Sequence, residues 1–137
     1  MLTHEFGQAL VGRIVLVRNG RFIADYDDSR ITTDDYGNGL TAALAALQPG
    51  DTLMARGIRA STAGLTCSQS NVQLLFEDVT VIPKTTTNYA ALFAVSGSDC
   101  LLRGLTTDGR VGGVPQANTG EGIGIDVQGN KNRMCHA

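Results

Sequence analysis

Polysaccharide hydrolysis needs two carboxylates at a defined separation. Three carboxylates stand where such work could be carried. Asp108 lies in Thr107-Asp108-Gly109-Arg110, Glu121 in Gly120-Glu121-Gly122, and Asp126 in Ile125-Asp126-Val127. Asp108 and Glu121 flank a Gly-rich insertion, 109–122, and loops on a rigid scaffold are where sites gather. The plainer reading is the stronger one. Asp-Gly is ordinary turn chemistry, and Asp126 can simply alternate outward along a strand. No catalytic residue is assigned, and these three stand only as candidates.

Other chemistry is poorly supplied. Gly120-Glu121-Gly122-Ile123-Gly124 lacks the full spacing of a phosphate-binding loop and precedes a strand, not a helix. The two histidines, His4 and His136, stand at opposite ends of the chain, so a Ser-His-Asp triad is not expected. Cys67, Cys100 and Cys135 are odd in number and contain no C-x-x-C pair. They read as small buried thiols, and a zinc site would need more ligands. Asp25, Asp27, Asp28, Asp34 and Asp35 lack the Gly and closing Glu of a calcium loop and read as a solvated turn. Neither a metal nor a cofactor is expected.

Composition narrows the class. Of 137 residues 42% are hydrophobic and 18% charged, which is globular rather than disordered. A net charge of −2 leaves no general basic surface for nucleic acid. No apolar run approaches the roughly 18 residues that suggest a bilayer span, so no membrane insertion is expected. Met1 to Gln8 carry Glu5 and no apolar core, so no secretion signal is read. Seventeen glycines, three prolines and no tryptophan suggest short strands joined by tight turns.

The elements follow from local pattern. Arg13-Ile14-Val15-Leu16-Val17-Arg18, then Asn19-Gly20, then Arg21-Phe22-Ile23-Ala24 predicts a β-hairpin over 13–24. A lone hairpin is marginal in water, so it packs on another chain or on the rest of the domain. Its Arg13, Arg18 and Arg21, with Phe22, are candidates for contact with a partner. They could equally be solvated edge charges that block unwanted strand pairing. Leu40, Ala43, Leu44 and Leu47 recur at helical spacing, with Asn38 as N-cap and Pro49-Gly50 as the stop. Leu40, Leu44 and Leu47 form the core face of that helix.

Beyond residue 53 the pattern is strand and turn. Strands are expected at 53–55, 64–67, 72–76, 79–82, 91–95, 100–102, 104–106, 123–127 and 132–135. Small polar corners recur: Ser68-Gln69-Ser70-Asn71, Ser96-Gly97-Ser98-Asp99 and Val127-Gln128-Gly129-Asn130-Lys131. Each precedes a strand, and such corners need residues that tolerate positive φ. Self-similarity at about 28–32 residues is the mark of a stacked repeat, whose levels must cover one another and whose end must be capped.

The helix 39–47, its stop Gln48-Pro49-Gly50-Asp51-Thr52-Leu53 and the Ser-Asn-Val and Ser-Asp-Cys corners resemble the pectate-lyase-like right-handed β-helix proteins, most nearly bacteriophage tailspikes and tail fibres. The resemblance covers roughly 36–137. It implies a mainly β fold: an N-terminal β-hairpin leader, a short capping α-helix, then the first coils of a right-handed parallel β-helix. The expected division is 1–35 as a virion-anchoring leader, 36–52 as cap helix and turn, and 53–137 as the start of the β-helix. It further implies a homotrimer in the virion tail. The leader would attach to tail or neck adaptor proteins, and further coils would meet a host surface glycan. The sequence stops inside a coil, as expected of the front of a longer spike. A polysaccharide-cleaving lyase or hydrolase, and a small free-standing decoration protein, are the alternatives.

Overall fold

Asn19 and Gly20 take φ of 54° and 73°, the pair of positive values that a two-residue hairpin turn demands. They join β1 (Arg13–Arg18) to β2 (Arg21–Asp25) as an antiparallel pair. The register slips at Leu16/Val17, making Ile23 the extra residue of a bulge on β2. The computed structural model describes residues 12–26, 36–62, 64–83, 91–108, 110–111, 114–115 and 123–135. His4, Asp27, Asp28, Asp34, Asp35, Glu121 and His136 lie outside the described residues.

The hairpin packs on its own chain. β1 pairs antiparallel with β3 (Thr52–Thr62), and Leu16 sits opposite Leu53. Hairpin and later strands therefore share one sheet and one core.

The helix α1 spans Gly37–Ala46. Its N-cap is Tyr36, with no side-chain cap bond; Asn38, expected as the cap, lies inside the first turn and is exposed. The start is set instead by backbone. The Leu40 amide donates to the Tyr36 carbonyl, and the Tyr36 amide donates to the Arg59 carbonyl. A Cβ on Gly39 would strike the Tyr26 carbonyl, so the helix lies directly against the backbone that leaves the hairpin. Leu40, Ala43, Leu44 and Leu47 are all buried, as their spacing requires.

The later strands are β4 (Leu65–Cys67), β5 (Gln73–Pro83), β6 (Ala91–Val95), β7 (Leu101–Thr107), β10 (Ile123–Val127) and β11 (Arg133–Cys135). Two-residue strands β8 (Arg110–Val111) and β9 (Val114–Pro115) pair antiparallel within the Gly-rich insertion. Among the described residues the fold is mainly β with one helix. A six-stranded mixed sheet runs β11-β7-β5-β3-β1-β2, and a three-stranded parallel sheet runs β10-β6-β4.

The long strands differ from expectation. β3 and β5 each have 11 residues, where strands of three to five were expected. What read as gaps at 77–78 and 103 lie within continuous strands, which bend at Asp78 and Gly104. Gly57, Asp78 and Gly104 all have positive φ, 65°, 54° and 79°. The β3/β5 register places Gly57 beside Asp78, and the β5/β7 register is irregular at the same level. One left-handed residue turns each strand without ending it.

The corners 68–72, 96–100 and 128–132 stack. The Asn71 amide donates to the Ser98 carbonyl and the Asp99 amide to the Asn130 carbonyl, at 2.8 and 2.9 Å. The Ser70 hydroxyl accepts from the Ser98 amide, and the Ser98 hydroxyl accepts from the Asn130 amide, both at 3.0 Å. The helix stop belongs to the same stack. The Gly50 amide donates to the Asn71 carbonyl at 2.6 Å, and the Gln73 amide donates to the Asp51 carbonyl at 3.0 Å, as the Leu101 amide does to Val72.

Positive φ falls at Gly50, Asn71, Asp99 and Lys131. Gly97 and Gly129 serve a different need. A Cβ on Gly97 would meet the Gln69 carbonyl, and one on Gly129 would meet the Gly97 carbonyl. Those glycines permit close stacking of backbone on backbone.

Inward side chains form rows across the sheets. Leu16, Leu53, Leu74, Leu102 and Met134 occupy one row. Leu65, Phe93 and Ile125 occupy another, on the facing sheet. Phe76 meets Phe93 edge-on, with ring centroids 6.2 Å apart, and ties the two sheets together. Each buried Leu contributes roughly 1.5–3 kcal/mol relative to an exposed one. Cover is lost at the far level: Met134 is 48% exposed, and Val127, the register partner of Val95, 38%.

Candidate functional site

The bend in the long strands makes a cleft. Gly57, level with Asp78 in the β3/β5 register, has no side chain, and both residues line the cleft. The cleft holds about 570 Å³. Its polar lining is Tyr36, Arg59, Asp78, Thr80 and Asp108, with Ile58 and Ile82 beneath. Asp78 and Arg59 are exposed, while Tyr36, Thr80 and Asp108 are half-buried. The Asp108 amide donates to the Val81 carbonyl at 2.9 Å, which fixes the end of β7 against β5. Two carboxylates, a guanidinium, a phenol and a hydroxyl thus share one wall. Such a set can hydrogen-bond a polyhydroxylated ligand.

Of the two carboxylates singled out by sequence that lie among the described residues, Asp108 lines this cleft and Asp126 does not. Asp126 lies on β10 opposite Ala94, in the three-stranded sheet, and accepts a hydrogen bond from Gln128 Nε2 at 2.7 Å. Asp78 and Arg59 were not singled out. The signal was present in Arg56-Gly57-Ile58, Glu77-Asp78-Val79 and Arg103-Gly104-Leu105, where a Gly or Asp precedes an apolar residue in each successive strand.

The hairpin residues separate into two groups. Arg18 turns inward. Its Nε and Nη2 donate to Asp51 Oδ1 and Oδ2 at 2.7 and 2.9 Å. Asp51 is buried and also accepts from the Gln48 amide at 2.8 Å. The hydrogen bond from Arg18 holds the Asp51 carboxyl below the usual range, against the opposing effect of burial, and Arg18 is raised in turn. Arg13 pairs with Asp25 on the neighbouring strand. Arg21 and Phe22 face solvent with Ile23.

Leu40, Leu44 and Leu47 cover the near end of the core. The carbonyl of Leu47 accepts from Gln69 Nε2 at 3.3 Å, so the helix terminus is also tied to the first corner.

No protein-family profile matches this chain, and neither a curated protein nor a solved structure is detectably similar to it.

Proposed function

We propose that this chain is the opening segment of a right-handed parallel β-helix and that its work is structural attachment. In this reading it is the N-terminal part of a phage tailspike or tail fibre. The hairpin end faces the tail or neck, and the stacked end leads toward a receptor-binding surface. One observation carries the reading. The Gln73-to-Asp51 bond at the helix stop recurs between corners as Leu101-to-Val72 and Arg133-to-Cys100, which supports reading the helix as the first level of a stack. Arg21, Phe22 and Ile23, outward on an edge strand, offer a surface for a virion partner or a second copy.

The test is twofold. The purified chain is weighed in solution by light scattering, and purified phage particles are searched for its peptides. A trimer together with virion peptides supports the reading. A monomer whose peptides are absent from particles overturns it.

A second reading is favoured by the Asp78, Arg59 and Asp108 cleft: this segment itself holds a surface glycan. Asp78→Gly keeps the left-handed backbone while removing the carboxylate. Retardation in affinity electrophoresis on host polysaccharide that is lost in Asp78→Gly supports glycan binding. Equal mobility of both proteins with and without polysaccharide counts against it.

A further inference from the structure

Two thiols meet beneath the first corner. Cys67 ends β4 and Cys100 ends the next corner, 96–100; both are buried. Their sulfurs converge on a single oxygen. The Gln69 carbonyl lies 3.8 Å from Cys67 Sγ and 3.2 Å from Cys100 Sγ. The backbones around them are tied as well. The Ser96 amide donates to the Cys67 carbonyl at 2.9 Å, and Cys67 is the register partner of Val95, which leads into the second corner. Asn132 Oδ1 accepts from the Cys100 amide at 2.8 Å, while its Nδ2 donates to the Gly97 carbonyl at 2.8 Å. Both cysteine backbones are thus held from the adjoining level. Core packing needs only a small apolar group at each position, as Val95 and Val72 provide in the equivalent rows.

We propose that Cys67 and Cys100 are a redox pair, closing a disulfide that staples two consecutive corners when the protein meets a two-electron thiol oxidant. Each cysteine gives up its proton, the pair gives up two electrons, and one S–S bond replaces two S–H bonds. With diamide, one thiolate adds across the N=N bond. The second thiolate then displaces the reduced hydrazine, which leaves carrying both protons. This chemistry stands apart from the attachment reading and does not depend on it.

Burial sets the rate. It pushes the Cys67 thiol up to about 11, and the neighbouring Cys100 adds to the rise. The thiolate is the nucleophile, so closure quickens as pH rises.

The experiment uses the full chain as Cys135→Ser, leaving two thiols, reduced and then treated with diamide. Intact mass and peptide mapping follow under denaturing, non-reducing conditions, with alkylation of any remaining thiol. The expected result is loss of two hydrogen masses, a linked Cys67–Cys100 peptide pair, no alkylation, and a higher Tm that dithiothreitol reverses. Closure also accelerates from pH 7 to 9. An unchanged mass with both cysteines alkylated on unfolding overturns the proposal. So does a linkage only between molecules. If Cys135→Ser folds poorly, the unsubstituted chain gives the same peptide readout, with a Cys135 linkage as the refuting result. Cys67→Ala and Cys100→Ala each abolish the Tm gain, which separates a staple from a general effect of the oxidant.

Discussion

Arg18 at the end of β1 and Asp51 at the helix stop form a two-pronged ion pair across 33 residues of chain. The Asp51 side chain is fully buried and that of Arg18 is 27% exposed. The pair joins the hairpin, the helix terminus and the corner stack at one point. Its pH dependence has a definite sign. Asp51 titrates lower in the folded chain than in the unfolded one. Its contribution is therefore complete above the unfolded carboxylate value, about 4, and is lost as pH falls through the lower folded value. The raised Arg18 keeps its share at every pH below strong alkali. Urea midpoints measured from roughly pH 7 down to pH 2 should fall more steeply for the native chain than for Asp51→Asn. Identical acid slopes in the two proteins would remove this pair from the account of stability.

Gly97 and Gly50 should respond differently to alanine. At Gly97 the new methyl meets the Gln69 carbonyl group and the Ser70 amide nitrogen, all backbone. Overpacking of that kind costs about 3 kcal/mol. At Gly50 φ is 91° but nothing lies within 4 Å, so only conformational strain of about 1–2 kcal/mol is incurred. Denaturant titration of the two variants should rank Gly97→Ala as the more damaging. The reverse order would mean the corners are not stacked as closely as described.

Lys131 is the misfit in its row. Gly50, Asn71 and Asp99 are residue types suited to positive φ, whereas Lys131 adopts φ 58° with no such aptitude. Lys131→Asn should stabilise the chain by about 0.5–1 kcal/mol, visible as a raised Tm. A Tm that stays level or drops would show that Lys131 makes a compensating contact.

Leu44 tests the packing of the helix on the core. It is 5% exposed and packs in the same core cluster as Leu53 and Leu65. Leu44→Ala should cost about 2–4 kcal/mol through lost burial and the cavity left behind. Calorimetry that finds no change would mean the helix does not cover the core.

Much of this arrangement is legible in the sequence. Asn19-Gly20 places the hairpin turn, and the spacing of Leu40, Ala43, Leu44 and Leu47 reveals the helix face. The polar corners give the repeat before any strand is paired. What stays hidden is set by neighbours distant in the chain. Arg18 read as an outward contact because Asp51, its partner, looked like an ordinary residue after a Pro-Gly stop. Asn38 read as a cap because its type fits, yet the Tyr36 backbone bonded to Arg59 sets the helix start two residues earlier. Glu77-Asp78 and Arg103 read as breaks because a left-handed residue in or beside them, Asp78 or Gly104, leaves the same local mark as a turn. For the cleft, Asp108 was visible alone; Asp78 and Arg59 join it only once β3, β5 and β7 are aligned.

The corner stack also sets an order for folding during synthesis. Among the described residues, the hydrogen bonds that tie one corner to the next span about 21 to 35 positions of chain, from Gly50–Asn71 to Gly97–Asn132. A polypeptide leaving the ribosome can therefore complete one level before the next is made, with hairpin and helix as the seed. Length changes in 109–122 would delay the arrival of a level without altering where it lands. One residue added within 96–100 and not absorbed in the corner would turn the inward side chains of β7 to the wrong face.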